Sequence, residues 1–342
     1  MICRPELPPL KLPLLITGVA GVAGYNALRW YQARHPGNVV GIRQRDNWRL
    51  SGPGIVPCDA EDPDGLERLF DEYHFQSVLD CAGNCALRAC ELDKALAWRT
   101  NVEGVRNLLT VLDGRDEVRL VHLSIDLVFS GAGDGNYVES DRTDPVTEYG
   151  ATMAAAERLI LAAAPRTCIL RISLPMGVSF NGHAGAIDWI QSRFRKSRPA
   201  TLYFDEVRTP TYTDCLNELC DAMLRNEAAG LFHAGGPRAL SLFQIAQVIN
   251  RIGGYDPNLL RGCPRIEAGP IPPRAGNVAM CSQKLIDAIG YQPFDPWPLD
   301  QQHVPTDREW HLRVTASDRG SPALLAQVLY RNPRRYTQRR NG

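Results

Sequence analysis

Leu14-Leu15-Ile16-Thr17-Gly18-Val19-Ala20-Gly21-Val22-Ala23-Gly24 is the stretch that decides how this chain is read. A short apolar run ends in three glycines spaced three apart, and a helix-like segment, Tyr25–His35, follows. Glycines in such a strand-to-helix turn let the backbone approach a pyrophosphate at a helix N-terminus, where free N–H groups and the helix dipole favour an anion. Taken alone the triplet also fits a plain tight turn. Working outward, strand-like runs at Val39–Ile42, Ser77–Cys81, Arg119–Leu123 and Cys168–Ile172 alternate with helix-like stretches at Gly65–Tyr73, Leu92–Leu112 and Tyr149–Ala164. That alternation predicts parallel β-α units with helices on both faces of a sheet, and a dinucleotide at the carboxyl ends of the strands.

The expected fold is therefore α/β, a doubly wound parallel sheet of the Rossmann kind with a small irregular C-terminal substrate lobe. Residues 1–172 read as the dinucleotide-binding domain, with a returning segment at about 203–250. Residues 173–202 and 251–300, rich in Pro and Gly, read as the substrate lobe; further helices are expected near Leu216–Asn226 and Leu242–Ile252. Residues 301–342 form an extension ending in a basic tail (Arg331, Arg334, Arg335, Arg339, Arg340), read as a solvated end or a partner-binding tail. The 342 residues suffice for about two domains at roughly 100–200 residues each.

Basic and acidic residues balance at 38 each, which argues against nucleic acid or an anionic membrane as the main partner. The apolar start is short and interrupted by Pro13, and no run of about 18 apolar residues occurs, so a cytoplasmic protein without a membrane span is expected. The ten cysteines have irregular spacings. They read as reduced thiols, and the Cys81, Cys85, Cys90 cluster as buried small residues rather than a metal site.

The end of the second strand bears on which dinucleotide is held. An acid there accepts from the ribose hydroxyl, whereas a cation meets a 2′-phosphate. Arg43, with Arg45 nearby, favours NADP(H) over NAD(H), against the alternative of two surface arginines. Asp59 is placed either to accept from the adenine amino group or to serve the dipole of the helix that follows.

At this point the residues resemble a known family, the extended short-chain dehydrogenase/reductases, and within it the dTDP-4-dehydrorhamnose reductase-like branch. Thr17 to Gly24 is similar to the family's nucleotide loop. Asp80-Cys81-Ala82-Gly83 stands where the family has Asn-Ala-Ala, and Asn101-Val102-Glu103-Gly104 resembles the helix with its structural Asn. Val121 to Phe129 is similar to the Ser-Thr-Asp-Tyr-Val-Phe segment, and Tyr149-Gly150-Ala151-Thr152-Met153 to Tyr-Gly-x-x-Lys. Arg171-Ile172-Ser173, Pro210-Thr211-Tyr212 and Arg274-Ala275-Gly276-Asn277-Val278 resemble later motifs. The resemblance implies reduction of a 4-keto group on a nucleotide-linked deoxysugar, with a tyrosine hydroxyl protonating the oxygen. It also implies a cofactor site at Gly18, Ala20, Gly21, Val22, Gly24, Arg43, Arg45, Asp59, Ala60, Cys81, Ala82, Gly83, Asn101 and Tyr149. The sugar would meet Cys85, Leu87, Asp126, Leu127 and Leu174.

The departures lie in the catalytic residues. The family's lysine is Met153 here, and no lysine occurs between Lys94 and Lys196. Arg158, nine residues after Tyr149, falls on the opposite helix face at about 100° per residue. The family's Thr or Ser is Ile125, with Ser124 beside it as the substitute hydroxyl. Tyr149 is thus either the surviving proton donor or a helix-start aromatic, and Tyr149 with Ser124 is the expected catalytic set, without metal. Two functions follow: a reductase with weakened chemistry, or a non-catalytic cofactor-binding subunit, since the resembling branch includes the regulatory subunit of methionine adenosyltransferase. A homodimer or another protein partner is compatible with either.

Overall fold

Alternate residues of the first strand enter different cores. Leu14 and Ile16 pack with Leu28, Val121 and Leu219, whereas Leu15 packs with Val40, Leu66, Phe70 and Leu108. A strand buried on both faces needs a helix layer on each side. The computed structural model describes residues 7–182, 185–313 and 320–330, so the terminal arginines from Arg331 onward lie outside the described residues. Strands β1 (Leu14–Ile16), β2 (Val39–Arg43), β3 (Ile55–Pro57), β4 (Ser77–Asp80), β5 (Arg119–Ile125), β6 (Cys168–Ile172) and a further strand at Gly230–Ala234 form one parallel sheet. Its order is Gly230–Ala234, β6, β5, β4, β1, β2, β3. Leu15 lies opposite Val40 on one side and Val78 on the other, so the order reverses between β1 and β4 and opens a crevice at the strand ends.

Helix α1 (Val22–Gln32) begins directly at Gly21, earlier than the expected Tyr25. Helix α2 (Pro63–Tyr73) is capped by Asp62, whose side chain accepts from Gly65 N. The single helix expected at Leu92–Leu112 is broken into α3 (Leu87–Leu92), α4 (Lys94–Trp98), a π-turn (Arg99–Glu103) and α5 (Gly104–Leu112). Asp93 causes the break: its side chain caps Leu96 N, and its backbone leaves the helical region. The π-turn presses Gly104 onto Ala60 and turns Asn101 inward. Helix α6 (Glu148–Ala163) opens with Thr147 Oγ1 accepting from Gly150 N at 3.0 Å.

Two strands of the sheet have no clear sequence signal. Ile55–Pro57 is three residues at the sheet edge, and Gly230–Ala234 carries a histidine in its apolar run. His233 is tolerated there because Arg171 and the Tyr137 carbonyl satisfy its ring. The second half contains short pairs: Pro175–Met176 with Thr211–Tyr212, Val207–Arg208 with Leu240–Ser241, and Ala200–Tyr203 with Leu260–Cys263. The helix expected near Leu216–Asn226 spans Thr213–Leu224, and Leu242–Ile252 forms as expected behind a Ser241–Gln244 capping box. Among the described residues, no helix is long and apolar enough to cross a membrane.

Candidate active site

At the head of the crevice Gly18 has φ +62°, and a Cβ there would stand 2.2 Å from the Cys81 carbonyl oxygen. Gly24 is equally confined, against the Gly18 carbonyl. Gly21 is different: nothing lies nearer its missing Cβ than 3.4 Å, so packing does not demand glycine and the bare Cα faces the cleft. Thr17 ties this loop to β4. Its hydroxyl donates to Asp80 Oδ1 and accepts from the N–H groups of Cys81 (3.0 Å) and Ala82 (3.1 Å). Asp80 Oδ2 is 2.7 Å from His122 Nδ1, and both residues are buried. Burial pushes the Asp80 carboxyl up, but His122, Thr17 and the Ala82 N–H outweigh it and hold it below the usual range.

The cleft, about 400 Å³, is lined by Gly18, Ala20, Gly21, Arg43, Ala60, Ala82, Gly83 and Cys85 among the expected residues. Gln44, Asp46, Asn84 and Thr100 also line it and were not anticipated. Arg43 fits a phosphate, for its Nε is buried and unpartnered while Nη1 rests on the carbonyls of Gln44 and Arg45. Arg45 does not join it. Its guanidinium pairs with Asp59 (3.2 Å) and Asp62 (2.5 Å), and its N–H donates to Asp59. Arg45, expected near Arg43 at the cofactor, and Asp59, expected at the adenine or at the start of α2, are thus paired with each other beyond the ends of β2 and β3. Asn101 lies behind the lining, donating to Thr152 Oγ1 (2.8 Å) and accepting from Asn84 N (2.6 Å).

A larger hollow of about 740 Å³ lies at the other end of the sheet, by Arg119 and Thr167. It is remote from the strand carboxyl ends, and Arg119 there is satisfied by the carbonyls of Met223, Arg166 and Ala228.

Toward the reaction end, Gly150 fixes Tyr149. A Cβ on Gly150 would stand 2.1 Å from the Leu127 carbonyl, so α6 meets the turn after β5 backbone to backbone and sets the tyrosine at the end of that strand. Met153, one turn on, is buried, with its sulfur 3.8 Å from where a Cβ of Gly83 would be. A thioether thus occupies the lysine position beside the cleft wall. Burial drives the Tyr149 phenol well above its ordinary range, with Cys85 adding to the rise and Arg208 opposing it. Arg208 does not substitute for the lysine. It is chelated by Asp126, with Nε on Oδ2 at 2.7 Å, so the phenol faces a nearly neutral pair and desolvation dominates.

Two expected site residues are held by other side chains. Ser124, expected as the substitute catalytic hydroxyl, donates to Glu157 Oε1 at 2.5 Å, and Glu157 is held in turn by Arg171, so the hydroxyl is engaged in a buried network. Strand alternation is the reason: Ile125 takes the other face, in the buried cluster that holds Tyr149 and Met153. Asp126, expected to meet the sugar, is consumed by Arg208 and by Ser173 Oγ at 2.5 Å. Leu127 is buried under Gly150, Leu87 begins α3, and Leu174 is half-buried with its carbonyl accepting from Thr211 N. Arg208 neighbours Tyr149, and Glu206 Oε2, 3.7 Å from Arg274 Nη1, is buried without a hydrogen bond among the described residues, as is Arg274 Nε; no local pattern in the sequence links these residues.

A doubly wound sheet with a glycine loop at its switch point, and a Tyr-Gly helix start at the end of the fifth strand, defines the extended short-chain dehydrogenase/reductase class. Residues 12–306 match the model of the RmlD substrate binding domain family, and the chain belongs to that family. It is 27% identical over 266 residues to the dTDP-4-keto-6-deoxy-D-glucose reductase of Streptomyces niveus, covering 76% of this chain and 86% of that protein. It is 28% identical over 314 residues to the dTDP-4-dehydrorhamnose reductase of Mycolicibacterium smegmatis, covering 83% and 92%. In fold it is similar to the Bacillus anthracis dTDP-4-dehydrorhamnose reductase solved in complex with NADP, with a TM-score of 0.69 at 20% identity, covering 89% of this chain and 98% of that one.

Proposed function

We propose that this nucleotide-sugar reductase-like protein binds NADP(H) in preference to NAD(H) and reduces the 4-keto group of a nucleotide-linked 6-deoxy sugar slowly. The observation that carries the reading is Tyr149 at the start of α6, its phenol beside Cys85 of the glycine-loop cleft, with Met153 one turn on against Gly83 where a cation would stand. The glycine loop and the α1 N-terminus would hold the pyrophosphate and Arg43 the 2′-phosphate; a nicotinamide bound here would supply hydride. Tyr149 holds the proton that the sugar oxygen takes. Because burial keeps the phenol protonated and no lysine lowers its pKa, the transfer is slow; a positioned acid or base commonly contributes ~10²–10⁴-fold. In the same proposal residues 1–172 and 203–250 hold the cofactor, residues 173–202 and 251–300 the sugar, and the protein is cytoplasmic.

Met153, Ile125 and the commitment of Ser124 to Glu157 favour a second reading, a cofactor-binding regulatory subunit with a second copy or another protein as partner. The two separate in one assay. Slow NADPH oxidation dependent on a dTDP-linked 4-keto-6-deoxy sugar, lost in Tyr149→Phe, supports the reductase. NADPH binding without sugar-dependent oxidation supports the subunit.

A further inference from the structure

Asp80, Asp126 and Glu157 are buried carboxylates around the strand ends of the sheet, and they differ in what balances them. Asp126 is held by Arg208 and Glu157 by Arg171, both permanent cations. Asp80 pairs with no lysine or arginine among the described residues. Its ion-pair partner is His122, which lies opposite it in the β4–β5 register with Nδ1 2.7 Å from Oδ2. The Thr17 hydroxyl and the Ala82 N–H donate to its other oxygen. Thr17, Gly18 and Asp80 all line the cleft, so this carboxylate stands one side chain away from the glycine loop.

His122 differs from the other buried histidines as well. His233 Nε2 faces the Arg171 guanidinium at 3.2 Å and His311 Nδ1 faces Gln247 Nε2 at 3.1 Å, so a proton added to either meets a donor. His122 donates from Nδ1 to Asp80, and its buried Nε2 has no partner among the described residues. A proton added there breaks no bond. It turns the Asp80–His122 pair from a net negative charge into a neutral one, and histidine is the side chain whose charge changes between about pH 5 and 8. On this face of the sheet β1 contributes Thr17, β6 Ile169 opposite His122, α2 Leu66 and Phe70, α5 Val105 and Leu108, and α6 Ala156 and Ile160. The other charged groups there, Glu157 of α6 and Arg171 of β6, are bonded to each other.

We propose that Asp80 and His122 are positioning residues for the cofactor's pyrophosphate, and that His122 takes up a proton when the dinucleotide binds. Asp80 holds Thr17 and the Ala82 N–H, and through them the turn at Gly18 that rests on the Cys81 carbonyl. The carboxyl stays ionised, because His122, Thr17 and the Ala82 N–H hold it below the usual range against its burial. Uncompensated, that charge opposes an anion at the α1 N-terminus; a protonated His122 cancels it without loosening the loop. Coupling of this kind is reciprocal: an anion that favours the proton is itself bound more tightly as the pH falls through the histidine range. The inference rests on the cofactor reading above and adds the buried proton that sets the strength of binding.

Titration calorimetry of the full chain with NADPH, in buffers of different ionisation enthalpy, counts the protons taken up on binding. The wild type should take up a fraction of a proton and bind about tenfold more tightly at about pH 6 than at about pH 8. Asp80→Asn keeps an acceptor for Thr17 and Ala82 without the charge, and should hold the tighter affinity at both pH values. His122→Asn keeps a donor to Asp80 but cannot be charged, and should hold the weaker affinity at both. The 2′-phosphate of NADPH titrates in the same range but alike in all three proteins, so their differences belong to the pair. A proton count and pH slope shared by the wild type and the variants overturn the inference and leave the cofactor reading in place. A loss of affinity in Asp80→Asn at every pH does the same, since a purely structural pair behaves so. Magnetic resonance of the His122 ring in the wild type needs no variant: a proton gained with NADPH supports the inference, and an unchanged neutral ring overturns it. A wild type that binds no NADPH at any pH overturns the cofactor reading and the inference with it.

Discussion

At the glycine-loop end of the cleft, donors are left free for a ligand; at the tyrosine end they are spent on one another. Arg43 Nε has no partner, the first turn of α1 carries no acid, and Gly21 leaves its Cα bare. At the tyrosine end, Ser124 is tied to Glu157, Asp126 to Arg208, and Met153 fills the lysine position with sulfur. Preorganised, unsatisfied donors suit binding, because a ligand gains bonds without breaking internal ones. Self-satisfied pairs suit stability and leave little to act on a transition state. The contrast teaches that the two ends of one cleft can be under different chemical demands while the fold is common to both.

The contrast can be broken most severely at the loop. Gly18→Ala should weaken NADPH binding by about a hundredfold or more, since a side chain at φ +62° is strained and its Cβ meets the Cys81 carbonyl. Calorimetry with NADPH measures it, and near-normal affinity would mean that the loop does not hold the cofactor.

The reaction end can be moved toward the family pattern. Met153→Lys with Ile125→Thr should raise reduction of a dTDP-linked 4-keto-6-deoxy sugar on the order of ten- to a thousand-fold, and adding Tyr149→Phe should remove the gain. The buried lysine should also lower the thermal midpoint of the protein without NADPH. No rise in a variant that still binds NADPH would favour the regulatory reading.

Arg43→Ala and Arg45→Ala separate two arginines that look alike in the sequence. The first should erase the preference for NADPH over NADH by about tenfold, while the second, already paired with Asp59 and Asp62, should change it little. Equal effects from both would show that the ion pair opens when the cofactor binds.

The smallest effect is expected at Ser124. Ser124→Ala should leave any sugar-dependent turnover unchanged and cost about 1 kcal/mol in urea unfolding, because Glu157 keeps Arg171. A large loss of turnover with little loss of stability would return Ser124 to the chemistry.

From the sequence alone, five of the seven sheet strands, the glycine loop and the helix start that carries the tyrosine are legible. Short apolar runs, glycine spacing and the Tyr-Gly pair are local features, and each has a local physical consequence: a strand buried on both faces, a backbone turn of positive φ at Gly18, a helix start that approaches the Leu127 carbonyl. Met153 and Ile125 could likewise be read as losses from residue type alone. Partner choice was decided only by the tertiary structure. Arg45 and Asp59 are 14 residues apart, Ser124 and Glu157 33, Asp126 and Arg208 82. No local pattern says whether a charged or hydroxyl side chain will face a ligand or another side chain, because that depends on which distant group the sheet and its crossovers bring within about 3 Å. The same reason hides Glu206 and Arg274, whose unfilled bonds exist only once the strand at Val207–Arg208 has been folded back against the Gly276 segment.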